Sequence, residues 1–311
     1  MTFANETDFT FLRRALEDRG GVRSFVVAQS AHITFEHYRR DIEPDSLQDI
    51  NSVTKTVVGL AVGAALREST LPPLDTPVSH VLPPMRGRGL HPRVQCITLR
   101  HLLTMTSGFE WDQSVVDSCV LGPCEAFAEP GSRLRFVLSR PIAQPGARFE
   151  YDSHAVQLLS LVIESATGRT LECYARDTLF GPLEIASSEW LTDEEGHSFG
   201  GRGLMLSTRD MVKLGTLILH RGAWRGRQII DEWFIDEATF AQSDGGPPME
   251  DARYGYLCWI APRYVFAAGY GEQFIFVAPR EHAVVAVTCE NDDAPKGVRA
   301  LFEQHVLGMS G

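Results

Sequence analysis

From Asp49 to Leu66 the chain reads DINSVTKTVVGLAVGAAL. After Asn51 this stretch is almost wholly apolar or small, and it has no polar face, so a helix here must be buried on every side. Ser52 and Lys55 are the two groups in it that can react. Because residues i and i+3 of a helix lie about 60° apart, a Ser52 hydroxyl and a Lys55 amine can meet on one face.

A buried lysine beside a serine is a possible nucleophilic centre. Burial disfavours the charged ammonium and lowers its pKa, which makes Lys55 a candidate base for Ser52. Asn51 is a plausible N-cap, and the free N–H groups of the first helical turn could stabilise an oxyanion. The pattern S-x-x-K is common by chance, so a core helix with a capping serine and a snorkelling lysine is the competing interpretation.

Composition narrows the class of protein. The chain has 311 residues, of which 44% are hydrophobic and 22% charged, as is ordinary for a soluble globular protein. A formal net charge of -11 argues against nucleic acid or an anionic membrane as a partner. No apolar run is long enough to span a bilayer, and the polar, acidic start does not resemble a signal peptide. We therefore expect a cytoplasmic protein.

The cysteines and histidines show no metal-binding pattern. The six cysteines are scattered without a C-x-x-C motif and read as free thiols, although Cys119 and Cys124 could pair on oxidation. Neither His-x-His nor His-Glu-x-x-His occurs. We expect no metal and no other cofactor.

Periodicity predicts strands at both ends of the chain and helices between them. The predicted strands are 24–29, 32–37, 264–268, 274–278 and 283–288, and the further predicted helices are 9–17, 98–105, 132–138, 155–166, 207–220 and 295–306. The fold class is therefore α/β (α+β): one antiparallel sheet of N- and C-terminal strands, flanked by helices. We expect one catalytic unit over 1–311, in which 1–75 and 200–311 form an α/β subdomain and 76–199 an inserted, mainly helical one.

Three other stretches invite a chemical interpretation. In PGARFEYDS (145–153), Tyr151 stands at a helix start, where it is either a packed aromatic or, beside a lysine cation, a phenolate base. In AGYGEQ (268–273), the glycines allow a ligand to approach a strand edge, or simply form a hairpin turn. GHSFG (196–200) matches the nucleophile elbow G-x-S-x-G but lacks the strand before it and the helix after it, so we discount it.

Five segments in a fixed order resemble one enzyme superfamily. They are SVTK (52–55), LRHLLTMTSGF (99–109), PGARFEYDS (145–153), GGRGL (200–204) and GYGEQFIFVAP (269–279). Together they resemble the serine β-lactamase-like and penicillin-binding-protein-like superfamily, in the branch of class C β-lactamases, family VIII esterases and 6-aminohexanoate-dimer hydrolases. The resemblance covers roughly 24–307 and implies the β-lactamase/transpeptidase-like fold.

The resemblance also implies roles for individual residues. Ser52 matches the acylated nucleophile and Lys55 its partner on the same helix. Tyr151 matches the tyrosine of the second motif, Y-x-N, which acts with the lysine as general base and then protonates the leaving group. Ser153 stands where asparagine is usual and offers less reach and no NH2 donors.

The third motif, K-T-G or H-x-G, aligns with Tyr270-Gly271-Glu272. Tyr270 lacks the usual cation or imidazole, and Glu272 replaces a glycine beside the cleft. Gln273 follows, and the resemblance implies that its backbone N–H forms the oxyanion hole together with that of Ser52. Trp111, with the loop after it, is expected to shape the pocket mouth on its position alone.

These departures bear on the substrate. An uncharged Tyr270 and an acidic Glu272 would not hold the carboxylate of a β-lactam. We therefore expect an esterase or amidase acting on a small, neutral or cationic molecule. Two alternatives remain: an acyltransferase that uses the same acyl-enzyme, and a non-catalytic binding relative. The oligomeric state is not predicted.

Overall fold

The two ends of the chain build the main sheet. The computed structural model describes residues 9–110 and 131–308. In chain order the strands are β1 (Val22–Gln29), β2 (His32–Tyr38), β3 (Gln48–Asp49), β4 (Glu189–Trp190), β5 (Leu204–Leu206), β6 (Ala223–Trp224), β7 (Arg227–Gln228), β8 (Arg253–Tyr254), β9 (Trp259–Ile260), β10 (Val265–Gly269), β11 (Gln273–Ala278) and β12 (Ala283–Cys289). The α-helices are α1 (Thr10–Glu17), α2 (Val53–Arg67), α3 (Leu99–Leu103), α4 (Ser132–Ser139), α5 (Ser153–Thr167), α6 (Leu171–Ala175), α7 (Thr208–Leu219), α8 (Glu232–Ala238) and α9 (Val298–His305).

The main sheet has seven strands in the spatial order β2-β1-β12-β11-β10-β9-β8. Every neighbouring pair is antiparallel, and the first strand of the chain pairs with the last, from Val22 opposite Cys289 to Gln29 opposite Ala283. The predicted antiparallel sheet of N- and C-terminal strands is therefore confirmed.

Helices cover both faces of this sheet. β11 and β12 are buried along their whole length, which requires a cover on each side. On one face the Phe276 ring stacks on Phe302 of α9, with ring centroids 4.3 Å apart. Side chains alternate between the faces of a strand, so Ile275 points the other way, where it packs against α7.

Helix α2 is the buried helix that the composition predicts. Its residues from Val53 to Ala65 are all buried, and it packs against β10, β11 and α5. Its first turn lies beside Gly269, the last residue of β10. The fold therefore brings Ser52 to one end of the sheet.

Between β3 and β5, the regular elements of the described residues are α2 to α6, short 3₁₀ turns, a π-helical turn at Arg176–Phe180 and the two-residue strand β4. The division into subdomains at 1–75, 76–199 and 200–311 stays a prediction. Over the described ranges, no helix combines the length and apolar character needed to cross a membrane.

Candidate active site

Ser52 and Lys55 meet at the start of α2, as their spacing predicts. Lys55 Nζ donates a hydrogen bond to Ser52 Oγ at 2.6 Å. It donates a second one, at 2.8 Å, to the backbone carbonyl of Gly201. The lysine is therefore held against the serine from two sides.

Burial sets the protonation of Lys55. Its side chain is 1% exposed, and this loss of water lowers its pKa from 10.5 to about 7. The negative charge of Asp152 acts in the opposite direction, while the positive charge of Arg202 lowers the pKa further. At neutral pH a substantial fraction of Lys55 is therefore unprotonated and able to accept a proton.

Tyr151 completes a three-residue cluster. Its hydroxyl hydrogen-bonds with Ser52, and Lys55 Nζ lies 4.9 Å from the centre of its ring. The ring stacks on Trp259, with centroids 5.7 Å apart. The structure thus brings Ser52, Lys55 and Tyr151 together.

The expected phenolate form of Tyr151 does not hold. Burial raises the pKa of Tyr151 to about 12, and the hydrogen bond with Ser52 only partly offsets this rise. Tyr151 is therefore a neutral hydroxyl over the physiological range, suited to relaying or donating a proton. Of the two groups that contact Ser52, Lys55 is the one that can lose its proton near neutrality.

Asn51 differs from its expected role as the N-cap. The residue before α2 is Ser52, whose side chain makes no capping bond. Asn51 has a left-handed backbone, with φ at 47°, and its side-chain amide donates to the carbonyl of Tyr270 and to Asn291 Oδ1. It therefore ties the helix start to the β10–β11 hairpin, and the Ser52 hydroxyl is not engaged as a cap.

The start of α5 forms another wall of the site. Asp152, which is fully buried, caps this helix by accepting from the N–H groups of His154 and Ala155, and it pairs with Arg140 at 2.6 Å. Ser153 follows and lies against Gly201: a Cβ at Gly201 would be 2.9 Å from that of Ser153. This tight packing fixes the Gly201 carbonyl that binds Lys55.

On the opposite side, β10 approaches the nucleophile through Gly269. A Cβ on Gly269 would lie 2.7 Å from the Ile50 carbonyl oxygen and 3.1 Å from Ser52 N. Only glycine permits this approach. Gly269 and Gly201 are not among the predicted site residues, although they lie within the AGYGEQ and GGRGL segments.

The hairpin turn places the predicted third-motif residues differently from expectation. Glu272 has a left-handed backbone, with φ at 67°. Its carboxylate turns away from the cleft and accepts from the backbone N–H groups of Lys296, Gly297 and Val298 at the start of α9. The expectation that Glu272 repels an anionic substrate is thereby corrected, because its charge is used at a helix N-terminus.

Gln273 is fully buried. Its side-chain amide bonds to the carbonyls of Tyr270 and Cys289, and its carbonyl oxygen accepts from Cys289 N–H. In the ladder it stands opposite Gly269. Gly271 packs against the segment after β12, where a Cβ would be 2.6 Å from the Glu290 carbonyl oxygen. These two residues shape the hairpin, and a role for the Gln273 N–H in catalysis stays a prediction.

Of the remaining candidates, Tyr270 has an exposed side chain at the hairpin tip. Trp111 lies outside the described residues, as do Cys119 and Cys124. Ser198 is fully buried and accepts a hydrogen bond from Glu172 N–H, so the G-x-S-x-G match is a structural turn. Within 9–110 and 131–308, no cluster of His, Cys, Asp and Glu side chains has the arrangement of a metal site.

Comparison with known sequences gives a family. The family model described as Beta-lactamase matches residues 12–307. The chain is 21% identical to the 6-aminohexanoate-dimer hydrolase of Paenarthrobacter ureafaciens over 223 residues, which are 68% of this chain and 56% of that protein. It is 32% identical to esterase EstB of Burkholderia gladioli over 165 residues, 50% of this chain and 41% of that protein. The matches thus span about half the length of these relatives.

Comparison with solved structures gives the fold. The octameric penicillin-binding protein homologue from Pyrococcus abyssi superposes with a TM-score of 0.76 at 22% identity, over 97% of this chain and 77% of that one. At 22% sequence identity, this similarity establishes the fold and nothing about activity. The predicted β-lactamase/transpeptidase-like α/β fold is confirmed.

Proposed function

The chain belongs to the beta-lactamase family, and on that premise we propose that it is a serine hydrolase cleaving an ester or amide bond through an acyl-enzyme on Ser52. One observation carries the proposal. A buried lysine with a pKa of about 7 lies 2.6 Å from the hydroxyl of a serine that also hydrogen-bonds with a tyrosine. A nucleophile with a base that is partly unprotonated at neutral pH is the arrangement that covalent acyl transfer needs.

In the proposed first step, neutral Lys55 takes the Ser52 proton, directly or through the Tyr151 hydroxyl. Ser52 Oγ forms a bond to the substrate carbonyl carbon, and the carbonyl electrons move onto oxygen. When the tetrahedral intermediate collapses, the bond to the leaving group breaks. Tyr151 gives that group a proton and is reprotonated from Lys55. Water then attacks the acyl-enzyme with the same groups acting as the base, which releases an acid and restores Ser52.

The oxyanion needs two backbone donors. Ser52 N–H at the start of α2 is one of them. The sequence pointed to Gln273 for the second, but the close approach of Gly269 to Ser52 favours the next amide along the turn, that of Tyr270. Removing one such donor typically costs about 3–4 kcal/mol of transition-state stabilisation.

Ester and amide substrates are the class that the relatives' names suggest, one being an esterase and the other a hydrolase of an aminohexanoate dimer. A β-lactam is a poorer candidate. The third motif of β-lactam-processing relatives holds the β-lactam carboxylate with a cation, and the β10–β11 segment 264–279, which aligns with it, carries no Lys, Arg or His.

An activity-based fluorophosphonate probe tests the proposal. Peptide mapping of the labelled protein should place the adduct on Ser52, and Ser52→Ala should abolish labelling while the protein stays folded. Labelling elsewhere, or none at all on a folded protein, refutes a Ser52 acyl-enzyme and favours the non-catalytic alternative.

The proton path is tested with 4-nitrophenyl butyrate. Tyr151→Phe should lower kcat/KM about 10²-fold or more, and Lys55→Ala at least as much. The combined variant should lose little beyond the larger single loss, because both residues serve one proton path. Full turnover in Tyr151→Phe contradicts its role. Product analysis with an added amine or alcohol separates hydrolysis from acyl transfer.

A further inference from the structure

A pocket lies beside the nucleophilic cluster, along the GGRG segment and the start of α5. It is a small hollow of about 40 Å³ that opens to solvent, and it is lined by Ser153, Gly201, Phe199, Gln157, Arg133 and Arg202 among others. Gly201 belongs both to this pocket and to the nucleophilic cluster, because its carbonyl binds Lys55 Nζ at 2.8 Å. The pocket and the nucleophilic cluster therefore share a wall.

Two arginines define its chemistry. The guanidinium carbons of Arg202 and Arg133 lie 5.0 and 5.1 Å from the centre of the Phe199 ring. Both positive charges thus lie close to the same aromatic side chain, within the range of a cation–π contact. Burial, and then the positive charge of Arg133, lower the pKa of Arg202, which shows that the two cations repel each other.

The acidic groups around them leave Arg202 available. Glu194 pairs with Arg133, with both contacts at 3.3 Å. Asp49 attracts Arg202 from the side of the helix start, but its carboxylate accepts from Asn51 N–H at 2.8 Å. Across 9–110 and 131–308, no side chain forms a hydrogen bond or ion pair with the Arg202 guanidinium.

We propose that this pocket binds a carboxylate of the substrate, with Arg202 as its principal contact and Arg133 as a supporting charge. A guanidinium presents a fork of donors that matches a carboxylate, and an anion bound to Arg202 offsets the repulsion from Arg133. The inference rests on the proposed function, since the anion must be part of a molecule whose carbonyl reaches Ser52.

The proposal reverses the substrate charge expected from the sequence. That expectation depended on Tyr270 and Glu272 of the β10–β11 turn, and the Glu272 carboxylate turns to the N-terminus of α9. The anion site lies instead on the GGRG segment, where the third position is Arg202. The substrate class is an ester or amide that carries a free carboxylate.

Matched substrates test this. One pair is 4-nitrophenyl hydrogen adipate and its methyl ester, with the charge on the acyl side. The other is 4-acetoxybenzoate and its methyl ester, with the charge on the leaving group. The members of each pair differ in the charge and in the ester methyl group. Intrinsic reactivity is the same for every variant, so the change from wild type in the ratio of kcat/KM for acid over methyl ester reports recognition of the carboxylate.

We expect Arg202→Gln to lower this ratio about 10- to 100-fold in one pair, the range for a hydrogen bond to a charged group. Arg202→Lys should lower it less, because the charge stays and the fork is lost. Arg280→Gln is the matched control: it removes the same charge at an exposed position in the β11–β12 turn, at the far end of the sheet, and should leave the ratio unchanged.

A ratio that Arg202→Gln leaves unchanged in both pairs overturns the proposal, as does an equal fall in Arg280→Gln. Should Arg202→Gln fail to fold, the wild-type ratio and that of Arg202→Lys are compared at low and high salt, and an absence of any salt dependence counts against the site. If wild type cleaves neither member of either pair and shows no probe adduct on Ser52, the proposed function itself is refuted. If wild type is active but Arg202→Gln leaves the ratio unchanged in both pairs, only the carboxylate site is refuted.

Discussion

Lys55 makes the stability of this protein depend on pH in a way that can be calculated. Its pKa is about 7 in the folded state against 10.5 for an exposed lysine. Below pH 7 both states bind the proton, and folding bears the full cost of burying the charge. Between pH 7 and 10.5 the unfolded state binds more protons, so stability rises with pH. The difference of 3.5 pKa units corresponds to a total of about 5 kcal/mol, of which about 3 kcal/mol is recovered between pH 6 and pH 9.

The substitution Lys55→Met isolates the pH-dependent contribution of Lys55 to the free energy of unfolding. Methionine is also unbranched but carries no charge, so its own contribution does not vary with pH. It loses the two hydrogen bonds to Ser52 and Gly201, about 1 kcal/mol each, at every pH. We therefore expect the free energy of unfolding of wild type, relative to Lys55→Met, to increase by about 3 kcal/mol between pH 6 and pH 9 in urea titrations.

The control is Lys213→Met, at a lysine that is 28% exposed and pairs with Asp210 at 2.8 Å. The difference in free energy of unfolding between wild type and Lys213→Met should not show this increase between pH 6 and pH 9. A gap between wild type and Lys55→Met that moves by less than about 1 kcal/mol would refute the reasoning. Lys55 would then keep its proton in the folded protein at pH 9 and could not serve as the base.

Three further predictions concern the site. With 4-nitrophenyl butyrate, kcat/KM should rise through pH about 7 as Lys55 loses its proton, and a flat profile from pH 5 to pH 9 counts against this base. Gly269→Ala should lower kcat by about 10²-fold, because a Cβ 2.7 Å from the Ile50 carbonyl pushes β10 away from Ser52; Gly20→Ala, with open space around it, is the control. Glu272→Gln should lower the free energy of unfolding in urea titrations by about 1–2 kcal/mol, because it weakens the cap of α9. It should leave the ratio of nitrocefin to 4-nitrophenyl butyrate hydrolysis unchanged, and a several-fold change in that ratio would mean that Glu272 acts on the substrate.

The parts of the fold that the sequence predicts well are those dictated by composition and period. A helix with no polar face must be buried, so α2 could be placed at the centre before any contact was known. The i, i+3 spacing then brings Ser52 and Lys55 together without further information. The paired strands at the two ends of the chain follow from short runs rich in β-branched and aromatic residues and from the turn at 30–31.

The β10–β11 turn could not be predicted in the same way. Its alignment to K-T-G rests on residue order, whereas the direction of each side chain depends on the backbone of a three-residue turn. Gly271 and Glu272 both have positive φ, 72° and 67°, and this sends the Glu272 carboxylate to α9. Asn51 is a similar case, since a polar residue before a helix suggests a cap, and only the tertiary contact with the Tyr270 carbonyl shows its use.

The net charge of the whole chain does not predict the charge of the groups around Ser52. A formal net charge of -11 describes the surface that a distant partner meets, and it bears on nucleic acids and membranes. A substrate at Ser52 meets a different field, made by groups within a few ångströms and little screened by water. There, Asp152 is paired with Arg140 and Glu272 is directed to a helix N-terminus. Arg202 has no paired carboxylate among the described residues. An acidic protein can therefore hold a site that selects for an anion.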